Sequence, residues 1–251
     1  MSSLKVALVQ FEPVWENSEA SLSKLDLLLA SLDKDTQLVL LPEMFNTGFS
    51  MDTPKIAEPM NASVGKWMAE KSKKYTIAGS FAVKEHDQYL NRIGVFQNQK
   101  CIGTYDKKHL FTLGDEDQHF QSGNEHLELE LNGFNIQFFI CYDLRFPEWI
   151  RNYSHYDAAV FMASWPKQRM PHWDALLKAR AIENQSYVLA INRVGTDGNK
   201  IEHIGHSMAY SPFGDLIQMA ENKECITYVT LKKSEISNLR ETLPFLKDIK
   251  N

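Results

Sequence analysis

Three short apolar runs in this chain each lead into a residue with reactive chemistry, and this repeated layout restricts the fold. The runs and their reactive residues are 37–41 with Glu43, 100–105 with Lys107, and 136–140 with Cys141. Each run has the length of a strand, and Pro42 ends the first because proline cannot donate to a strand ladder. Open α/β sheets carry their chemistry beyond the carboxyl ends of their strands. We therefore expect a fold in which a carboxylate, an ammonium group and a thiol meet.

The rest of the chain alternates between strand-like and helix-like patterns. Predicted helices cover 17–32, 63–74 and 173–184, and a further helix begins at Pro147. Predicted strands cover 4–11, 37–41, 76–83, 90–97, 100–105, 127–131, 136–141, 158–163, 187–192, 206–210, 216–219 and 226–231. This alternation predicts an α/β fold, and the hairpin-like middle predicts mixed sheets. We expect one domain over residues 1–251, because a chain of this length with 43% hydrophobic residues can bury one substantial core.

Cys141 occupies a junction between a strand and a helix. Ile136, Phe138 and Ile140 alternate as one strand face, and Pro147 suits the first turn of a helix. A thiol at this junction faces the positive end of a helix, which favours the nucleophilic thiolate. A lone intracellular cysteine is more often a small core residue, but the predicted glutamate and lysine neighbours favour a catalytic one.

Three motifs follow one another along the chain. They are Leu41-Pro42-Glu43-Met44-Phe45, Tyr105-x-Lys107-x-His109-Leu110-Phe111 and Cys141-Tyr142-Asp143-Leu144-Arg145-Phe146-Pro147-Glu148. Their order resembles the carbon–nitrogen hydrolase, or nitrilase, superfamily, and the likeness extends from Val6 to about Leu231. The resemblance implies a four-layer α-β-β-α sandwich with two mixed β-sheets and a Glu-Lys-Cys triad.

Matching the family residue by residue makes Glu43 the general base, Cys141 the nucleophile and Lys107 the lysine. Lys107 stands two residues before the His-Leu pair, as the family's lysine does. Neighbouring strand residues point to opposite faces, so only one of the two adjacent lysines can reach the pocket. We interpret Lys108 as solvated.

The family's reaction explains why these residue types are needed. Glu43 would take the proton of Cys141 as the sulfur attacks an amide carbonyl. Lys107 and the backbone N–H of Tyr142 would stabilise the oxyanion, ammonia would leave a thioester, and a water activated by Glu43 would release the acid. The family's second glutamate matches Glu116, which would position that water. The reaction requires no metal and no cofactor.

Within the superfamily the motifs look most like those of omega-amidases, which hydrolyse the terminal amide of 2-oxo acids such as 2-oxoglutaramate and 2-oxosuccinamate. Such substrates carry a carboxylate far from the scissile amide, so the pocket should offer a second cation. Arg169 is the preferred anchor, while Arg145 is expected to hold the loop after the nucleophile by an ion pair. The candidate pocket walls are Phe45, Phe49, Tyr142 and Trp165.

Several alternatives stay open at this stage. A nitrilase or a carbamoyl-amide hydrolase would use the same triad on another small substrate, and an N-acyltransferase would pass the thioester to an amine. A non-catalytic binding protein of the same fold is the alternative from a different class. Such a protein would usually have lost one of the three triad residues, all of which are present here.

Charge, composition and cysteine content indicate which binding partners and which cellular compartment to expect. The net charge is −5, and the 27 lysines and arginines are scattered, so we expect no nucleic acid partner. The first residues lead into a strand without a long apolar stretch, which predicts neither a signal peptide nor a membrane span. Three cysteines without tight spacing predict a reducing compartment, the cytoplasm. The family likeness implies a homodimer that acts on a small-molecule amide.

Some residues favour structural interpretations. Cys101 and Cys225 lie in strand-like runs and are interpreted as packing residues. Arg180 lies on the apolar face of the helix at 173–184, so we expect a buried ion pair with a partner other than its helix neighbour Glu183. His203 and the histidine three residues later lack a third ligand at metal-binding spacing, so no zinc site is expected.

Overall fold

The computed structural model describes residues 2–249, which form fourteen strands and seven α-helices. The strands are β1 (Ser3–Gln10), β2 (Leu38–Leu40), β3 (Thr76–Glu85), β4 (Gln88–Gln97), β5 (Lys100–Asp106), β6 (Glu128–Leu131), β7 (Phe134–Ile140), β8 (Ala158–Met162), β9 (Tyr187–Ile191), β10 (Val194–Thr196), β11 (Glu202–Ile204), β12 (Met208–Tyr210), β13 (Leu216–Met219) and β14 (Cys225–Lys232). The helices are α1 (Ser18–Leu29), α2 (Thr53–Ile56), α3 (Ser63–Lys71), α4 (Glu116–His119), α5 (Pro147–Ile150), α6 (Met170–Asn184) and α7 (Lys233–Thr242).

Most of the strands belong to two six-stranded sheets with the same plan. The first sheet has the order β14-β1-β2-β3-β4-β5, and the second has the order β13-β12-β9-β8-β7-β6. In each sheet three central strands run parallel and the outer strands are antiparallel. Strands β10 and β11 form a separate antiparallel hairpin. The prediction of mixed sheets is confirmed.

The central strands are apolar on both faces because each sheet is covered on both sides. Val6 and Leu8 of β1 belong to the same buried cluster as Phe138 of β7, which places the main core between the two sheets. The alternate residues Ala7 and Val9 pack in a second cluster with residues of α1 and α3. A strand that is buried on both faces has a nearly continuous apolar sequence.

Helices cover the outer face of each sheet. Leu25 of α1 and Met68 of α3 pack on the first sheet, and Trp173 and Leu177 of α6 belong to the cluster that contains the second sheet. Asn17 caps α1 by accepting a 3.0 Å hydrogen bond from the N–H of Ala20. The resulting four layers confirm the predicted α-β-β-α sandwich.

Among residues 2–249, no helix combines the length and apolar character needed to cross a bilayer.

The predicted elements agree with the structure to within a few residues at most ends. The predicted helix at 17–32 is α1, which ends at Leu29, and the predicted helix at 173–184 is α6, which begins earlier, at Met170. Sequence patterns do not predict the β10–β11 hairpin, whose strands have only three residues each, or the C-terminal helix α7.

Two structural interpretations are wrong. Cys101 is exposed rather than packed, because it lies on the edge strand β5 of the first sheet. For Arg180 the expected ion pair is present and only its partner differs, because Arg180 Nη1 pairs with Glu183 Oε1 at 2.9 Å. Its Nη2 donates to the carbonyl oxygen of Leu144 at 2.8 Å. Residues three apart lie on one helix face, so the guanidinium reaches its own helix neighbour and a backbone carbonyl at once.

Candidate active site

Strand ends from both sheets meet at one cavity. Glu43 follows β2, Lys107 follows β5 directly, and Cys141 follows β7 directly. A backbone hydrogen bond links the two sheets here. The N–H of Glu43, after β2 of the first sheet, donates to the carbonyl oxygen of Ala163, just after β8 of the second, at 3.4 Å. The structure therefore brings together the three residues that the sequence predicted to converge.

The cavity has a volume of about 230 Å³. Its lining residues are Glu43, Phe49, Met51, Lys107, Phe111, Leu113, Gly114, Cys141, Tyr142, Arg145, Ser164, Trp165, Pro166, Arg169, Asp197, Asn199, Ile201 and His203. Glu43 and Lys107 are buried at its floor, while Cys141 keeps partial exposure. The cavity thus combines a buried carboxylate and a buried ammonium group with a more accessible thiol, the groups that nucleophilic catalysis at an amide requires.

Lys107 is bound by two buried carboxylates. Its Nζ donates to Glu43 Oε1 at 2.7 Å and to Glu116 Oε1 and Oε2 at 3.0 and 2.8 Å. Glu116 is fully buried behind Lys107 and does not line the cavity. Lys108 points elsewhere, and its Nζ lies 5.2 Å from the centre of the Trp149 ring. The adjacent lysines thus face opposite sides, as strand alternation requires.

The two oxygens of Glu43 have different partners. Glu43 Oε2 accepts a 2.9 Å hydrogen bond from the backbone N–H of Ser164. Oε1 accepts from Asn91 Nδ2 at 2.9 Å in addition to Lys107. The carboxylate is therefore held by three donors that come from three different strand ends or strands.

The electrostatics of the site depend on burial and on these charges. Burial opposes the charge on Lys107, but the carboxylates of Glu116 and Glu43 outweigh it and raise the pKa of the lysine. Burial also raises the pKa of Glu116, although Lys107 opposes the change. Lys107 is therefore a permanent cation at neutral pH.

The expectation of a helix-stabilised thiolate is wrong. Burial raises the pKa of Cys141 well above its ordinary value, and Glu43 adds to the increase, while Lys107 and the N–H of Ser164 act in the opposite direction. The turn that begins at Cys141 is a 3₁₀ segment, Cys141–Arg145, followed by the four-residue α5. Such short segments have little macrodipole to lower a pKa. The site thus favours the neutral thiol of Cys141 over the thiolate.

Three residues at or beside the site have a left-handed backbone, as do other residues elsewhere in the chain. Cys141 has a φ of 41°, Met44 beside Glu43 has a φ of 45°, and Asp115 beside Glu116 has a φ of 55°. Side chains rarely adopt this left-handed region, and such residues cluster at functional sites. Met44, Asp115 and Cys141 each are, or adjoin, a residue that the sequence predicted for the site.

Asp143 fixes the turn that carries Cys141. Its carboxylate accepts hydrogen bonds from the N–H of Ile140 at 3.0 Å and from the hydroxyl of Tyr105 at 2.7 Å. It also lies 2.9 Å from His109 Nδ1, and the His109 ring stacks on Phe146 at 3.7 Å between centroids. His109 therefore supports the turn from outside the cavity.

Four of the five predicted substrate-binding residues line the cavity: Tyr142, Trp165, Arg145 and Arg169. The prediction for Phe45 is wrong. Its ring is fully buried among Trp67 and Phe81, at centroid distances of 5.9 and 6.2 Å. The left-handed turn at Met44 directs the residue after it into the outer core of the first sheet. Phe49, also a predicted wall, does line the cavity.

The expected ion pair of Arg145 is also absent from the part of the chain that the structure describes. Its guanidinium carbon instead lies 4.8 Å from the centre of the Trp165 ring and 5.9 Å from that of Tyr142. Its Nη2 lies 3.2 Å from His172 Nδ1. Stacking on aromatic rings leaves the positive charge of Arg145 available at the cavity wall.

The structure adds residues that sequence patterns did not identify. The β10–β11 hairpin closes one side of the cavity with Asp197, Asn199, Ile201 and His203. Ser164 lines the cavity and its hydroxyl lies 3.3 Å from His203 Nε2. Asn91, in the middle of β4, contacts both Glu43 and Glu116. A polar residue inside an apolar strand was the available signal for Asn91.

Comparison with known proteins agrees with this architecture. The carbon–nitrogen hydrolase family model matches residues 5–241. The omega-amidase YafV of Escherichia coli K12 is 37% identical over 99% of this chain and 97% of its own length. A 2-oxoglutaramate amidase of Bacillus subtilis is 32% identical over 98% of this chain and 97% of its own length.

Solved structures show the same fold. A carbon–nitrogen hydrolase superfamily protein of Xanthomonas campestris, crystallised with an arsenic adduct in its active site, superposes with a TM-score of 0.97 at 31% identity over 100% of this chain and 98% of that one. Nit3 of Saccharomyces cerevisiae has a TM-score of 0.85 at 26% identity, over 97% and 95% of the two chains. From the full-length matches and the shared fold, the chain belongs to the carbon–nitrogen hydrolase family, as a hydrolase of carbon–nitrogen bonds other than peptide bonds.

Proposed function

We propose that this protein is an omega-amidase that uses Cys141, Glu43 and Lys107 to hydrolyse the terminal amide of a small 2-oxo acid, such as 2-oxoglutaramate or 2-oxosuccinamate. The observation that carries the reaction is the Lys107–Glu43 contact of 2.7 Å beside Cys141 in one cavity. The choice of substrate is supported by relatives named omega-amidase and 2-oxoglutaramate amidase. The whole chain would act as one catalytic domain.

The first half of the reaction forms a thioester. Glu43 takes the proton of Cys141 as the sulfur attacks the amide carbonyl, because the raised pKa of Cys141 keeps it a thiol until the base acts. Lys107 and the N–H of Tyr142 stabilise the oxyanion of the tetrahedral intermediate. Glu43 then gives the proton to the departing nitrogen, and ammonia leaves the acyl group on Cys141.

The second half hydrolyses the thioester. Glu43 removes a proton from a water molecule, the hydroxide attacks the acyl carbon, and collapse of the intermediate releases the carboxylic acid. The proton on Glu43 returns to the sulfur, so amide and water yield acid and ammonia. Both carboxylate oxygens of Glu116 accept hydrogen bonds from Lys107 Nζ. We therefore assign Glu116 to keeping the lysine in place between the two steps, rather than to direct contact with the substrate.

Two arginines favour a substrate with a distal carboxylate. Arg169 lies with its guanidinium carbon 5.0 Å from the centre of the Phe111 ring, and Arg145 lies over Trp165. Within residues 2–249 neither has a carboxylate partner at ion-pair distance. Guanidinium groups bind carboxylates in bidentate geometry. The carboxylate of a 2-oxo acid would supply the missing partner.

An ammonia-release assay over a panel of small amides tests the proposal. We expect 2-oxoglutaramate and 2-oxosuccinamate to be turned over with much higher kcat/KM than a neutral amide of equal length. The Cys141→Ala variant should fold and release no ammonia. Equal kcat/KM for the anionic and neutral amides would refute the substrate class, and turnover by Cys141→Ala would refute the reaction.

A further inference from the structure

Asn91 is a fully buried polar residue in the centre of β4, and the proposed reaction does not use it. Its Nδ2 donates to Glu43 Oε1 at 2.9 Å and to Glu116 Oε1 at 3.0 Å. Its backbone carbonyl accepts a 3.0 Å hydrogen bond from the N–H of Lys107. One residue that does not line the cavity therefore contacts three charged residues of the site.

The orientation of the Asn91 amide is fixed by a directional chain of hydrogen bonds. The N–H of Met44 donates to Ser80 Oγ at 3.0 Å, so this hydroxyl is an acceptor there. Its single proton is then donated to Asn91 Oδ1 at 2.9 Å. With Oδ1 occupied by a donor, Nδ2 must face the two carboxylates, and each of its two hydrogens has an acceptor.

This arrangement decides which oxygen of Glu43 acts. Oε1 is occupied by Asn91 Nδ2 and by Lys107 Nζ. Oε2 accepts only from the N–H of Ser164 among the described residues and is the oxygen left for the proton of Cys141. The neutral amide donates to both carboxylates without adding a charge between them.

We propose that Asn91 is a positioning residue, which holds Glu43 Oε1 so that Oε2 is the oxygen directed toward Cys141, and which links Glu43 to Glu116. The inference rests on the proposed role of Glu43 as the base. Because Asn91 acts through Glu43 and not on the substrate, its loss should lower kcat and leave KM nearly unchanged. A misplaced catalytic group can cost about 100-fold in rate.

The test is the Asn91→Asp variant, which keeps the side-chain shape but places a third carboxylate beside Glu43 and Glu116. Like charges raise the pKa of neighbouring carboxyl groups. We expect kcat to fall about 100-fold and the acidic limb of the pH profile of kcat/KM to move upward by about one pH unit or more. An unshifted profile in folded protein, or a higher KM at unchanged kcat, would overturn the inference.

Two further variants separate positioning from folding. Asn152→Asp is the matched control, because Asn152 is equally buried but donates to the carbonyls of Tyr156 and Asn184, away from the cavity. It should lower stability and leave the pH profile in place. Ser80→Ala frees the Asn91 amide without adding charge, and it should lower kcat at constant KM. If Asn91→Asp does not fold, an unchanged kcat in folded Ser80→Ala overturns the inference.

The same assay distinguishes this inference from the function on which it rests. If Cys141→Ala and Glu43→Gln are inactive while Asn91→Asp equals the wild type, only the role of Asn91 fails. If Cys141→Ala or Glu43→Gln remains fully active, the proposed function itself fails.

Discussion

The backbone N–H of Ser164 donates a 2.9 Å hydrogen bond to Glu43 Oε2. Glu43 follows β2 of the first sheet, and Ser164 follows β8 of the second. The carboxylate is therefore fixed by both layers of the sandwich. A change in the packing between the sheets would move this carboxylate, the proposed base, relative to Cys141.

The first prediction concerns the effect of Glu43 on the thiol. The Glu43→Gln variant should lose hydrolysis by about 10²- to 10⁴-fold, since it lacks a general base. The same change removes a negative charge that raises the pKa of Cys141. Alkylation of Cys141 by iodoacetamide at neutral pH should therefore become faster as hydrolysis is lost.

The measurement is the rate of alkylation against pH in the wild type and in Glu43→Gln. The apparent pKa should be lower in the variant. The exposed Cys101 provides the reference reaction in the same protein, and its rate should not change. A Cys141 rate that falls along with hydrolysis would contradict the proposed electrostatics.

The second prediction concerns the buried ion pairs of Lys107. Lys107→Met leaves Glu43 and Glu116 buried without their cation, and breaking a buried pair in this way costs about 3 to 5 kcal/mol. The unfolding free energy from urea titration should fall by that amount. The double variant Lys107→Met/Glu116→Gln should regain part of the stability and none of the activity.

Lys167→Met is the control for this prediction. Lys167 pairs with Glu202 at 2.8 Å, and both side chains are about half exposed. Exposed pairs contribute about 0 to 1 kcal/mol. A loss in Lys107→Met no larger than in Lys167→Met would show that the buried carboxylates tolerate the missing charge.

The third prediction concerns the anion subsite. Arg169→Met should lower kcat/KM for 2-oxoglutaramate by about 10- to 100-fold, the equivalent of one charge-assisted hydrogen-bonded contact. The neutral amide should be unaffected, because it has no carboxylate to lose. Arg151→Met is the matched control, since Arg151 binds the carbonyl oxygen of Glu183 outside the cavity. Equal losses on both substrates would assign Arg169 to the structure of the pocket.

The sequence predicted the convergence of the site because each reactive residue stands in a local motif at a strand end. Strand alternation shows that only one of Lys107 and Lys108 can reach the pocket, and the spacing implied by the family resemblance selects Lys107. These features depend on a few neighbouring residues. The two-sheet architecture required the family resemblance, because continuous apolar strands occur equally in a doubly wound sheet.

The wrong predictions share a physical cause, which is tertiary context. The thiolate expectation fails because burial acts on Cys141 more strongly than a short helical turn. The Phe45 prediction fails because the left-handed backbone at Met44 directs the Phe45 side chain into the core instead of the pocket. The Arg145 guanidinium lies over the ring of Trp165, twenty residues further along the chain, rather than beside a carboxylate. None of these features has a periodic signature along the chain.

The last prediction concerns the stability of the hairpin that closes the cavity. Burial lowers the pKa of His203 to about 4, and the Arg193 guanidinium acts in the same direction. The imidazole has a pKa of about 6.5 in an unfolded chain. Between these values the unfolded chain binds the extra proton, so stability falls as the pH falls. The contribution of His203 is complete above about pH 6.5 and is lost toward pH 4, for a total of about 3 kcal/mol.

Urea unfolding between pH 7.5 and 4.5 measures this dependence. His203→Gln cannot take up the proton, so its stability should fall less steeply with acidification than that of the wild type. The control is His86→Gln, because His86 is exposed and its replacement should leave the slope unchanged. Parallel curves for His203→Gln and the wild type would mean that His203 can be protonated inside the folded protein, and that the hairpin opens to water without unfolding.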